Sequence, residues 1–145
     1  MKISKNKFLG MLVFLLISSI SISGQYKDAL ISRMSNFRNS VFANVDEGND
    51  FQQKEALRKT EEEWDKELNI VYQKIMKVAD PVTNNKLRNA QRAWIKFRDS
   101  EVEKSYYTNN PNGGSMGILF SLNTAAKLTE ERAVQLAEMY DALDK

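Results

Sequence analysis

The feature that most constrains the fold is a pair of long stretches with helical periodicity on either side of Pro81. A residue that precedes a proline disfavours helical geometry, so Pro81 is expected to end the first stretch. We predict one helix over 51–79 and a second that starts at Thr83 or Asn84 and ends near Tyr107. Along the first helix, six apolar side chains share one side: Leu57, Trp64, Leu68, Val71, Tyr72 and Ile75.

The second helix carries polar groups within its apolar stripe. The apolar members recur at three- and four-residue spacing: Leu87, Ala90, Trp94 and Phe97. Gln91, Arg98 and Glu101 fall on the same side of this helix. Because burying an unpaired charge is costly, these groups need partners inside the fold.

A short connection makes consecutive helices antiparallel neighbours, so the two stretches should form a hairpin. Counting outward from Pro81 places Asp65 and Arg98 at the same level, and we predict a partly buried ion pair between them. If that pair is buried, replacing Arg98 by alanine should destabilise the fold by several kcal/mol. Arg132, on a later helix, is expected to approach the same place. The predicted polar cluster consists of Asp65, Gln91, Arg98, Glu101 and Arg132.

A further amphipathic helix is predicted ahead of this hairpin. Its stripe has members at i, i+4, i+8, i+11 and i+15: Tyr26, Leu30, Met34, Phe37 and Val41. The turn-rich residues 46–50 follow it, and Asn49 or Asp50 is a suitable cap for the next helix. We expect this first helix to cover the core; the alternative is that it presents a face to a partner.

Residues 108–115 are the segment least suited to regular structure. Two adjacent glycines permit backbone geometry that other residues avoid, and Ser115 is expected to cap a short helix over 116–127. Thr129 is expected to cap a separate final helix. The predicted fold is therefore all-α, a small bundle of four or five helices around the long antiparallel hairpin.

The first 24 residues have the pattern of a secretory signal peptide. A basic start precedes the apolar run 8–17, and small residues over 18–24 suit cleavage. The apolar run is shorter than the roughly 20 residues that a spanning helix needs, so cleavage is favoured over an anchor. The predicted organisation is a signal peptide (1–24), an N-terminal helix and turn (25–50) and a helical domain (51–145). The expected location is secreted or periplasmic, with membrane contact only before cleavage.

Removal of that segment changes the electrostatics of the chain. The complete sequence has 21 basic and 19 acidic side chains, whereas residues 25–145 have 18 and 19. The basic isoelectric point thus belongs to the leader, and no nucleic-acid partner is expected.

Histidine and cysteine are both absent from the sequence. This excludes imidazole acid–base catalysis, thiol nucleophiles and zinc sites with nitrogen or sulfur ligands. No run resembles a calcium-binding loop, so neither a metal nor a cofactor is expected.

Four motifs, in order, resemble the family of small secreted domains named after the lysozyme inhibitor LprI. The main one is the run Ala90–Asp99, which reads AQRAWIKFRD, and the second is Asp65–Tyr72, which reads DKELNIVY. Gly113-Gly114-Ser115 matches the family's glycine loop. Thr129 to Arg132, followed by Leu136, matches its closing helix. The resemblance covers about residues 60–140 and is more specific for the fold than for an activity.

The resemblance implies a binding module that acts by occlusion, without catalysis, on a protein partner that is lysozyme or another envelope protein. Its contact residues are expected in the glycine loop, because binding residues concentrate on loops held by a rigid scaffold: Asn109, Asn110, Asn112, Gly113, Gly114 and Ser115. The alternative for this loop is a simple capping turn. Family members often carry two cysteines where Val102 and Thr124 stand here, so this chain must hold its last helices by packing alone.

Two other functions are weighed against inhibition. One is an envelope interaction or stress-related protein, which an exposed apolar patch on the first helix would favour. The other is a small hydrolase that uses Asp65, Asp99 and Glu101, although acids paired with arginines more often serve the structure. Trp94 is expected to belong to the core and not to form a stacking platform for sugars.

Overall fold

The computed structural model describes residues 24–108 and 114–144. Those residues form four α-helices, which we number in chain order: α1 (Gln25–Phe42), α2 (Asp50–Val78), α3 (Pro81–Thr108) and α4 (Ser115–Leu143). The predicted all-α class is confirmed. Apart from Gly24, the predicted signal peptide lies outside the described residues.

Helix α1 packs its predicted stripe against the bundle. Leu30 and Met34 are buried, and Tyr26 and Phe37 pack against the same core while partly exposed. The start of α1 has no capping side chain of its own. Instead, the carboxylate of Asp141 on α4 accepts hydrogen bonds from the backbone N–H groups of Tyr26 and Lys27, both at 2.9 Å. A negative group at a helix N-terminus is favourable, so this contact fixes the entry of α1.

The boundaries of α2 and α3 are set by side-chain caps. Of the two predicted caps, Asn49 and not Asp50 caps α2, because the Asn49 side-chain oxygen accepts a hydrogen bond from the N–H of Gln52 at 3.0 Å. Helix α3 begins at Pro81, two or three residues earlier than the predicted start at Thr83 or Asn84. The carboxylate of Asp80 accepts from the N–H groups of Val82 and Thr83 at 2.8 and 3.0 Å, and proline suits the first helical position because its missing N–H is not needed there.

Helix α4 is continuous, so the prediction of two helices separated near Thr129 is wrong. Thr129 lies inside α4 with its side chain fully buried, and it caps nothing. The reason is that residues 118–143 contain no glycine or proline to interrupt the helix, and tertiary packing outweighs the weak capping preference of one threonine.

The core lies where α4 packs against α2, and α4 also contacts α3 and α1. Ala133 and Ala137 of α4 are completely buried, and their small side chains let the two helix backbones approach closely. Larger side chains from three helices complete the core, among them Leu30, Trp64, Leu68, Val71, Ile75 and Leu136.

The packing centre is therefore α4 and not the predicted hairpin, because α4 packs against both α2 and α3, whereas α2 and α3 have few close backbone contacts with each other. Only Leu87 and Gln91 of α3 are buried, whereas Ala90 and Phe97, both expected on its inner stripe, are exposed. Trp94 is half-buried and packs against the core, in line with its expected role. The polar inner side of α3 explains the difference, because a helix with so few inward apolar groups gains little from close packing.

Overpacking the α2–α4 interface should destabilise the protein. Ala133→Leu adds volume at a completely buried site and is expected to lower the free energy of unfolding by about 1–3 kcal/mol, measured by urea denaturation. Glu138→Leu on the exposed side of α4 is the control, with an expected change within about 0.5 kcal/mol. Equal losses in both variants would contradict this packing.

Candidate functional site

The predicted binding loop joins α3 to α4 at one end of the bundle. Four of its predicted contact residues lie outside the described part of the chain: Asn109, Asn110, Asn112 and Gly113. Gly114 and Ser115 are described, as is the end of α3 at Thr108. The geometry of the site is therefore built from the two flanks of the loop.

The first anchor of the loop is Tyr106 on α3. Its hydroxyl accepts a hydrogen bond from the N–H of Gly114 at 2.9 Å. Gly117 of α4 lies so close that an added Cβ would be 2.7 Å from the carbonyl oxygen of Tyr106. Gly114 has φ 83°, a left-handed conformation that glycine adopts without strain. The glycines thus permit a close crossing of α3 and α4 that fixes both ends of the loop.

The second anchor is a polar triad of Asp50, Lys54 and Ser115. The Ser115 hydroxyl donates to the Asp50 carboxylate, and the Lys54 ammonium donates to the same carboxylate at 2.7 Å and to the Ser115 hydroxyl. Hydrogen bonds from Lys54, and then from Ser115, lower the pKa of Asp50. The prediction that Ser115 caps α4 is wrong, because Gly114 holds the cap position and the Ser115 side chain turns to α2.

Exposed apolar side chains stand next to the loop or its anchors in the sequence. Phe51 follows the triad residue Asp50 and is 76% exposed. Tyr107 and Met116 flank the loop and are about half exposed, and Ile118, two residues further along α4, is also exposed. We call Phe51, Tyr107, Met116 and Ile118 the apolar rim. Apolar exposure of this kind is typical of protein-binding surfaces.

Sequence reasoning missed the apolar rim and the triad. Neither Phe51 nor Met116 belongs to a helical stripe, because both stand in the first turn of their helices. The sequence signal that could have identified them is their position beside predicted turns, where an apolar residue is not part of a helix face that packs against the core. Asp50 and Ser115 are 65 residues apart, and no local pattern connects them.

The predicted polar cluster divides into separate parts. The guanidinium of Arg98 reaches Asp65 at 3.9 Å, but it lies closer to Asp99, at 2.9 Å, and over the ring of Trp94. The side chains of Arg98 and Asp65 are 22% and 45% exposed, so the pair is not the buried one that a cost of several kcal/mol would require. Glu101 pairs with Lys104 and not with an arginine.

The second part of the cluster joins α3 to α4. The Nε of Arg132 donates to the side-chain oxygen of Gln91 at 3.0 Å, and Gln91 is buried. Burial lowers the pKa of Arg132. In the part of the chain that the structure describes, no carboxylate pairs with Arg132.

A more buried ion pair ties α1 to α2. Arg33 donates two hydrogen bonds to Glu67, from Nε at 2.8 Å and from Nη2 at 2.9 Å. The Glu67 side chain is 8% exposed and that of Arg33 is 50% exposed. Such a bidentate contact supplies both charge and geometry, and Arg33 is the partner that makes burial of Glu67 tolerable.

The candidate site is thus a loop held at both flanks on an all-α bundle, with an apolar rim beside it. Within residues 24–108 and 114–144, no group of three or more acids is placed to hold a metal ion. None of the described helices is both long and apolar enough to cross a membrane.

The sequence comparisons agree with this architecture. A family model described as lysozyme inhibitor LprI matches residues 43–136, which is more than half of the chain, and the chain belongs to that family. No curated protein and no solved structure matches. The family match begins after α1, so the Arg33–Glu67 pair joins a segment outside the match to one within it.

The two ion pairs should differ in their contribution to stability. Arg33→Ala leaves the buried Glu67 carboxylate without its partner and should cost about 1–3 kcal/mol of unfolding free energy. Arg98→Ala removes a long, half-exposed pair and should cost about 1 kcal/mol or less. Urea denaturation of both variants under the same conditions tests this order. A larger loss for Arg98→Ala would show that α3 depends on Arg98 more than its contacts suggest.

Glu61 should make stability depend on pH. Burial, and then the nearby Asp65 carboxylate, raise the pKa of Glu61 in the folded chain. The folded state therefore binds this proton more tightly than the unfolded state, and stability falls as the pH rises through the raised pKa. Glu61→Gln should stabilise the protein at neutral pH by up to about 0.5 kcal/mol, since the site is only half-buried.

That gain should vanish near pH 3.5, which is below the ordinary glutamate pKa of about 4.3, because Glu61 is then protonated in both states. Glu131→Gln, at an exposed position of α4, is the control. A gain that stays constant between the two pH values would contradict this role of Glu61.

Proposed function

We propose that this chain is a secreted or periplasmic inhibitor of a lysozyme-type enzyme that acts by occlusion, without chemistry of its own. The α3–α4 loop and the apolar rim form the contact surface. The observation that carries the proposal is the double anchoring of the loop, by Tyr106 on one flank and by Ser115 with Asp50 and Lys54 on the other. Membership of the LprI family supports it.

Anchoring favours binding because it lowers the entropy lost on association. A loop whose ends are fixed has fewer conformations to give up when it enters a partner's cleft. The apolar rim adds burial around the loop, with aromatic Phe51 and Tyr107 as the groups best suited to anchor an interface. The signal-like residues 1–24 support delivery to the compartment in which a lysozyme acts.

A second candidate is an envelope interaction protein that binds its partner through a different cleft. Helices α1, α2 and α4 enclose a cleft of about 690 Å³. Leu57 and Val134 supply apolar lining, and Ile31 of α1 is exposed there. This is the apolar exposure on the first helix that would favour such a function.

Inhibition is tested by lysis of a peptidoglycan suspension with lysozyme, with and without purified residues 25–145. We expect dose-dependent protection. The double variant Phe51→Ser and Met116→Ser should weaken protection at least tenfold, because it removes two exposed members of the apolar rim while leaving both anchors intact.

The matched control is Val82→Ser, which changes a 65% exposed apolar residue at the opposite end of the bundle. This variant should protect as well as the unchanged chain. No protection against several types of lysozyme would refute inhibition. Protection lost equally in the control would refute the assignment to the loop end.

A further inference from the structure

The charge of residues 25–145 is nearly neutral overall, but basic and acidic side chains are strongly separated along α2 and α3. Residues 68–98 contain seven lysines and arginines but one acid, Asp80. Residues 50–67 contain seven acids and four basic side chains. The end of α2 and the first part of α3, on either side of their connection, are therefore strongly basic.

Several of these basic groups have no internal partner. Arg88 and Arg92 stand one turn apart on α3 and are exposed. Among the described residues, neither forms an ion pair or a side-chain hydrogen bond. Arg132 adds a third guanidinium without a carboxylate, half-buried behind Gln91. Like charges placed close together raise the local potential, which favours an anionic ligand.

The two exposed arginines line a groove between α2 and α3. Its volume is about 410 Å³, and Arg98, Gln91, Trp94 and Asn69 also line it. Of the nearby acids, Asp65 lines the groove and Asp99 contacts Arg98, while Glu61 and Glu62 lie with Asp65 around an adjacent depression; all four are on the Arg98 side of the groove. Arg88 and Arg92 thus remain available, and a guanidinium presents a planar fork that matches a carboxylate.

We propose that this groove binds an acidic peptide segment of a partner protein, at a site separate from the loop end. From Arg88 to Arg98 the helix advances about 15 Å, at 1.5 Å per residue. An extended peptide of about five residues spans the same length. A run of aspartates and glutamates of that length would place carboxylates against Arg88 and Arg92.

The surroundings favour a peptide over an anionic glycan or a membrane surface. A sugar would need a free aromatic face, but the guanidinium of Arg98 lies over the ring of Trp94, 5.2 Å from its centroid, and Tyr72, the other aromatic residue of the lining, packs against the core. A lipid surface would need a flat basic face, whereas this site is a concave groove with Leu68 and Ile95 in its walls. A groove that has both apolar residues and arginines in its lining suits a peptide chain with acidic side chains.

The test is fluorescence anisotropy of fluorescein-labelled hexaglutamate with the purified chain at low and at physiological salt. We expect saturable binding that weakens as salt rises. The double variant Arg88→Glu and Arg92→Glu should weaken binding at least tenfold. Its thermal midpoint should be unchanged, because both side chains are exposed and have no internal partner.

The matched control is Arg38→Glu with Lys127→Glu, which makes the same change of net charge at exposed positions lining the other cleft. Retained binding in the control supports the groove, while an equal loss would show attraction by overall charge and overturn the proposal. Absence of hexaglutamate binding would also overturn it. Tighter binding of polygalacturonate or of phosphatidylglycerol vesicles would replace the peptide by a glycan or a lipid surface.

Discussion

The packing of α4 on α2 is the contact on which the other helices depend. Ala133 and Ala137 carry no bulk, so the two backbones approach closely and the large side chains of α2 fill the space on either side. Helix α1 packs against both members of this pair, and α3 packs mainly against α4. Helix α1 does so through Asp141 at its start and Glu67 at its middle, two carboxylates that act as fixed cross-links between helices. A chain without cysteine is held together in this way by close packing and a few charged contacts.

Much of the fold could be predicted from the sequence because its signals are local. The stripe on α1, the cap at Asn49 and the break at Pro81 each depend on a few neighbouring residues, and the structure agrees with them. The continuity of α4 and its central place could not be predicted. Alanines contribute little to the periodic pattern of apolar residues by which a buried helix face is recognised. Whether α3 or α4 is the main partner of α2 depends on the shape complementarity of whole helix surfaces, which a local sequence pattern does not contain.

The candidate site was less predictable for the same reason. The loop was identifiable from its glycines, but its anchors join residues far apart in the chain, such as Asp50 and Ser115. Counting from Pro81 brought Asp65 and Arg98 to the same level, yet it could not show that Asp99 competes for the same guanidinium. Register follows from helix geometry, whereas burial and the choice of partner depend on where α4 lies.

The polar inner side of α3 connects the architecture to both proposed surfaces. Because α3 contributes few buried apolar groups, α4 and not α3 closes the core, and a groove stays open between α2 and α3. Basic side chains that close packing of α2 against α3 would have excluded therefore line that groove. The C-terminal end of α3 instead contacts α4 at Tyr106 and Gly117. The two backbones approach closely there because glycine has no side chain. One helix thus leaves an open basic groove along its middle and fixes a loop at its end, which gives the two proposed surfaces different chemistry and separate positions.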